Sequence, residues 1–254
     1  MPKIRLHQFL SKTGEFSSKN DILQNIKNFK IKVDDKVITN PHYQLSKNRA
    51  VHYKGKKLTA KEKIYIILNK PAGFLSSRLS KNDVKLNKKS IFSLIKNLGG
   101  NLESTLSTIG RLDEDTSGLI ILTNDGKLIH KIAHPKFSIP KTYLVELERE
   151  LSNEDKTKVE SGVVIELEEN GIKTKYKTKP SKINKINKNY LHITINEGKK
   201  REIRRMFESV KNKVIKLKRV CIGNLNLEEL NIKKGDFKIV NKEFLLNKLN
   251  LAKR

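Results

Sequence analysis

Apolar residues at helical spacing open the chain. Within IRLHQFLSKT, residues 4–13, Leu6, Phe9, Leu10 and Thr13 fall on one face of a helix. A second helix is predicted to begin at Ser17 or Ser18, whose hydroxyl can cap it, with Ile22, Leu23, Ile26 and Phe29 turned inward. IKVDDKVIT then reads as two short strands about a tight Asp34–Asp35 turn. Two helices and a hairpin make a small module of residues 1–57. The polar, basic run YKGKKLTAKEK (53–63) reads as a connector, with 58–62 as the linker proper.

The texture changes from Lys63. IYIIL (64–68) predicts a buried strand followed by the turn NKPAGF, and GLIIL (118–122) predicts a second buried strand. Residues 78–89 are polar and read as a mobile loop. Helices are expected over 90–97 and 125–133, and strands over 139–147, 162–168, 173–183 and 189–196. KREIRRMFESV (200–210) is an amphipathic helix with Ile203, Met206, Phe207 and Val210 inward. Many strands with few helices among them imply an α+β domain, residues 63–245, built on a mixed, mostly antiparallel sheet flanked by helices. Residues 246–254 read as a basic C-terminal tail.

The 254 residues suffice for one or two domains with a real core. A single cysteine, Cys221, leaves no disulfide framework and no Cys-based zinc site, and fits a reducing cytoplasm. MPKIRLHQFL has too short an apolar core for a signal peptide, and no apolar run approaches the ~18 residues of a membrane span. A soluble, cytoplasmic protein is expected.

Charge sharpens this picture. The formal net charge is +27, which points to a polyanionic partner, nucleic acid above all. Abundant Lys, Asn and Ile suggest AT-rich coding DNA, but the charge is clustered. Residues 171–220 carry 17 Lys or Arg against three Glu. Compositional drift alone would spread it more evenly.

Against that background, GRLDEDTSGLIILTNDG (110–126) places Asp113, Glu114 and Asp115 within one turn, directly before an apolar strand. Asp113, Asp115, Ser117 and Gly118 match positions 1, 3, 5 and 6 of a calcium-binding EF-hand loop. The match fails at position 12, which is Asn124 where a bidentate Glu is needed. A two-metal phosphoryl-transfer site would need further carboxylates converging from distant segments, and no such pattern is seen. The blander alternative is a solvated loop with Arg111 paired to one of its acids.

GRLDEDTSGLIILTNDG closely resembles the catalytic signature of the pseudouridine synthases that modify bacterial ribosomal RNA, the RsuA/RluB type. Three more segments follow in that family's order. NKPAGFLSS (69–77) resembles its first motif, PKTYLVEL (140–147) the segment bearing its tyrosine, and EGKKREIRRMF (197–207), followed by LKRVCIGNLNL, its third. The resemblance spans about residues 63–240. The N-terminal module resembles an S4 RNA-binding domain, with Asp34–Asp35 where its hairpin usually carries Asn-Gly.

The resemblance implies an enzyme that detaches uracil from ribose, rotates it and rejoins it through C5. Glycosidic cleavage of this kind has oxocarbenium-like character at C1′. Asp113 is then the carboxylate beneath the sugar, and Arg204 its basic partner, since a buried carboxylate drifts toward neutrality without a cation. Tyr143 is the aromatic surface for the flipped base. Asp115, Thr116 and Gly118 support the loop, the side chains of Asp115, Thr116 and Ser117 bonding to backbone. Arg111, Lys70, Lys141, Lys199, Lys200, Arg201 and Arg205 are candidate RNA contacts, as are Arg5, Lys12 and Lys19 of the first module, and support of the catalytic loop is the other role open to Lys70. Glu202 stands where many relatives have Gln. No cofactor or metal is implied. The expected partner is ribosomal RNA or a pre-ribosomal particle, and the protein is expected to be a monomer that touches no membrane. The alternative is a non-catalytic, RNA-binding ribosome-assembly factor.

Overall fold

The structure is a computed structural model and describes residues 4–46, 48–99, 101–133, 137–169 and 171–251. The chain divides into two compact units, one of Met1–Ile64, Ile95–Ser107 and Thr123–Asp125, the other of Tyr65–Leu94, Thr108–Leu122 and Gly126–Arg254.

In the first unit, helices α1 (Leu6–Leu10) and α2 (Lys19–Lys27) pack on a four-stranded sheet that contains β1 (Ile31–Val33), β2 (Lys36–Val37), β3 (Val51–Tyr53) and β4 (Lys56–Lys57). Helix α1 is shorter than the pattern over 4–13 predicts, because Ile4 and Arg5 pair as a strand with Leu45 and Gln44. Ser18 caps α2, accepting the Asp21 N–H at 3.1 Å. Both turn residues of the β1–β2 hairpin, Asp34 (φ 45°) and Asp35 (φ 66°), are left-handed, which is the requirement of a type I′ turn. One expectation is corrected. Phe29 lies beyond the end of α2 with φ 57°, and this swings its ring outward, 69% exposed. Segment 58–62 is anchored on this unit: Leu58 joins its core, and the Lys61 N–H donates to Lys12 O at 2.8 Å.

The second unit is a mixed α+β fold on a nine-stranded, mostly antiparallel sheet. Its main strands are β5 (Tyr65–Lys70), β6 (Ser117–Thr123), β7 (Lys141–Leu147), β10 (Lys182–Lys185), β11 (Tyr190–Ile195), β12 (Val214–Ile222) and β13 (Phe237–Val240). They run in the order β10-β11-β7-β12-β6-β5-β13. Pairing of β6 with β12 is parallel, whereas β7 pairs antiparallel with both β11 and β12. Strands β5 and β6 sit inside this order and are covered on both faces. That is why each reads as an unbroken apolar run. Helices α3 (Gly126–Ala133), α4 (Glu202–Glu208) and α5 (Lys242–Lys248) flank the sheet.

Several predicted elements change form. The polar stretch 78–89 contains a short helix, Lys81–Lys85, capped reciprocally by Ser80 and Asp83. The helix expected over 90–97 is a 3₁₀ helix, Ile91–Leu98, broken at Ile95. The strand expected over 173–183 is interrupted near Pro180, which has no N–H for a ladder. Its first half, β9 (Ile172–Lys177), forms a separate hairpin with β8 (Val164–Glu169). The region read as a basic tail ends α5 and then buries Leu249 and Leu251 in the core beside Leu245, because its leucines outweigh its charges. Residues 252–254 lie outside the described residues.

Candidate active site

The acidic loop is built between two fixed supports. At its exit, β6 enters the sheet against β12 with Gly118 opposite Arg219. Gly118 has φ 104°, and a Cβ there would lie 2.2 Å from Arg219 O, so glycine alone fits. At its entrance, Leu112 is held on both sides by Ser76. Its N–H donates to Ser76 Oγ at 3.1 Å, and Ser76 Oγ donates to Leu112 O at 2.7 Å.

Between these supports the turn closes on itself and on the segment after β5. The Thr116 N–H donates to Asp113 O at 3.1 Å, and the Gly73 N–H to Glu114 O at 2.7 Å. Beneath the turn lies Lys70, 0% exposed. Its ammonium donates to four carbonyls: Pro71 (3.1 Å), Asp113 (3.0 Å), Glu114 (3.2 Å) and Thr116 (2.6 Å). Burial pulls its pKa down to about 8, against the opposing fields of Asp115, Asp113 and Glu114. Lys70 is therefore a brace for the loop, the second of the two roles expected for it, and its burial leaves no ammonium at the surface for RNA. The loop's own hydroxyls do less than expected. Thr116 Oγ1 is buried with no partner among the described residues, and that residue acts through its backbone.

Above the turn is a cavity of about 460 Å³ into which the half-buried Asp113 faces. Tyr143, 7% exposed, lines it from β7, where the pairing with β12 is bulged between Thr142 and Tyr143. Bulges beside functional sites commonly re-aim a side chain in this way. Leu112, Ile195, Ile203 and Leu217 supply apolar wall, and Arg111, Lys199, Lys200 and Arg201 supply positive charge. No hydrogen bond or ion pair engages the Asp113 carboxylate among the described residues.

Arg204 does not pair with Asp113 as expected. The turn closed by Thr116 on Asp113 presents Asp115 to α4, and Arg204 Nη2 meets Asp115 Oδ2 at 2.9 Å. Arg201 joins at 3.5 Å, and Arg204 Nη1 donates to Val214 O at 2.9 Å. Arg204 thus ties the loop to α4 and β12. With Asp115 held by two guanidinium groups, the calcium-loop alternative has lost its second ligand.

Two more expected RNA contacts sit elsewhere. Lys141 points into a neighbouring cavity of about 420 Å³ and donates to Ile139 O at 3.1 Å and Glu197 O at 3.4 Å. Burial, and then Arg219, lower its pKa. Arg205 donates to Lys200 O at 3.0 Å and lines a groove with Glu208 and β8. Arg5, Lys12 and Lys19 belong to the first unit. Residues given no role of their own in the sequence also build the site, notably Ser76 and Leu217, which lie within the motifs, and Ile195, which lies outside them. Only the folded strands bring them together.

The chemistry available is that of an unpaired carboxylate on a braced loop, facing a half-open cavity with an aromatic ring on one wall and cations around it. This suits attack on, or proton removal from, a polyanionic substrate's sugar. The family model described as RNA pseudouridylate synthase matches residues 64–209. The chain is 35% identical to the ribosomal large subunit pseudouridine synthase B of Bacillus subtilis, over 89% of this chain and 88% of that protein. It is 31% identical to the ribosomal small subunit pseudouridine synthase A of Salmonella typhimurium, over 87% and 89%. A solved structure described as a crystal structure of pseudouridylate synthase superimposes with a TM-score of 0.65 at 28% identity, covering 97% of this chain and 99% of that one.

Proposed function

Because the chain belongs to the RNA pseudouridylate synthase family, we propose that it isomerises a uridine of ribosomal RNA with Asp113 as the carboxylate that acts at C1′. The N1–C1′ bond breaks, the detached uracil turns within the cavity, and a C5–C1′ bond forms. The proton lost from C5 is replaced by one gained at N1. Relatives named for the large and small ribosomal subunits support ribosomal RNA as the substrate class.

The observation that carries the reading is the free Asp113 carboxylate, held rigid from below and facing Tyr143 across one cavity. Tyr143 supplies the face on which the flipped base rests. Arg204 acts through Asp115 and is a positioning residue. Arg111, Lys199, Lys200 and Arg201 receive the phosphates around the target nucleotide. Residues 1–57 act as an S4-like RNA-binding module, with Arg5, Lys12 and Lys19 toward RNA, and 63–245 as the catalytic domain. The protein works in the cytoplasm as a monomer and needs no cofactor or metal.

The test is tritium release from ribosomal RNA transcripts labelled at uridine C5, with EDTA throughout and Asp113→Asn beside the parent protein. Release by the parent alone supports both the reaction and the role of Asp113. If neither protein releases tritium from naked RNA or ribosomal particles while both bind RNA, the protein is an assembly factor instead.

A further inference from the structure

Glu202, 3% exposed, is the first residue of α4 and lines the Asp113 cavity. A second ionised carboxylate there would oppose both Asp113 and an incoming phosphate chain. Its contacts indicate that it is not ionised. Glu202 is buried and interacts with the Glu197 carboxyl, and two carboxyls brought together out of water do not both ionise. Glu197 is the acceptor. The Lys179 N–H donates to its Oε1 at 2.7 Å and the Tyr176 hydroxyl to its Oε2 at 2.5 Å. The proton therefore resides on Glu202, whose Oε2 accepts the Lys199 N–H at 2.7 Å.

We propose that Glu202 is a positioning residue which, as the neutral acid bonded to Glu197, staples together the two ends of segment 197–202 and so holds the cationic wall of the uridine site. Lys199, Lys200 and Arg201 all stand on the short loop between the two carboxyls and all line the cavity. Arg201 is left-handed at φ 54°, a conformation that the closed staple keeps in place. The proposal rests on the reading of that cavity as the RNA site.

Surrounding charges favour the same protonation pattern. Burial, then Glu197, push the Glu202 carboxyl up to about 8, with Lys141 of β7 opposing. Burial works against the Glu197 charge, but the Lys179 N–H, the Tyr176 hydroxyl and Glu202 hold that carboxyl low. Arg219 of β12 faces Lys141, and Asp113 and Arg111 face Glu202 across the cavity. A carboxyl raised in the folded state contributes stability that is complete below its unfolded value, near 4.5, and is lost as pH rises through about 8. Above that pH the staple opens.

The test combines ¹³C NMR of protein labelled at glutamate Cδ with the Kd for ribosomal RNA transcripts at fixed salt, from pH 6 to 9. In the parent protein one carboxyl should titrate near pH 8. Glu202→Gln should abolish that titration, and Glu197→Gln should move it to lower pH. The Kd should rise by up to about tenfold between pH 8 and 9 for the parent and stay flat for Glu202→Gln. No carboxyl titrating above pH 6 would overturn the shared proton. A high titration with a pH-indifferent Kd would overturn the positioning role. Failure of the isomerase reading would show separately, as absent tritium release with the titration intact.

Discussion

Lys70→Met separates a brace beneath the Asp113 turn from a contact with RNA. The substitution keeps the stem and removes an ammonium that serves four carbonyls. Asp113 O and Glu114 O retain backbone donors, from Thr116 and Gly73, so the loss falls mainly on Pro71 and Thr116. At about 1–3 kcal/mol for each buried group left short, this costs about 2–6 kcal/mol. Methionine also relieves the burial of a charge. The fall in pKa from 10.5 to about 8 corresponds to about 3 kcal/mol. The two nearly offset, so the unfolding free energy should drop by no more than about 3 kcal/mol. Turnover should respond far more, because a shift of about 1 Å in a reacting group costs ~10²-fold. Single-turnover and steady-state tritium release should show kcat down at least ~10²-fold, with KM and its salt dependence unchanged. A normal kcat would refute the brace. A raised KM with a flatter salt slope would restore the RNA contact. In the parent protein, kcat should also decline as pH rises through about 8, since neutral Lys70 has two N–H donors for four carbonyls.

Gly118→Ala should lower stability by about 2–5 kcal/mol in urea unfolding, because its Cβ would lie 2.2 Å from Arg219 O at a φ of 104°; an unchanged midpoint would contradict the register of β6 against β12. Asp115→Ala and Arg204→Met should each reduce kcat, and a double-mutant cycle should return a coupling of about 1 kcal/mol. Independent effects would show that Arg204 serves another partner. Lys199→Ala and Lys200→Ala should each lower the slope of log Kd against log salt by about 0.7–0.9. Slopes that match the parent protein would remove the 198–201 loop from the RNA face.

Periodicity and local capping were legible from residue order alone. The buried strands at 65–70 and 117–123, the amphipathic helix of Ile203, Met206 and Phe207, and the Ser18 cap all follow from interactions within a few residues of one another. An acidic turn ahead of a buried strand is also conspicuous in a chain of net charge +27, but it was the resemblance of the motif to the pseudouridine synthase signature that singled out Asp113 within it. Local spacing could not say where a charged side chain ends up after folding. Lys70 reads equally as an RNA contact or as a support for the loop until β5 carries it under a turn more than 40 residues away. Asp113 and Asp115 are neighbours with the same chemistry, and the closure of one turn decides which of them meets Arg204. Glu197 and Glu202 carry equal formal charges in the sequence. They become a one-proton pair only where burial penalises a second charge and Tyr176 and Lys179, brought in by the segment 176–179, mark one of them as acceptor. Local order sets which elements form. Desolvation and distance, which exist only in the folded chain, set which charges pair and which one is left free to react.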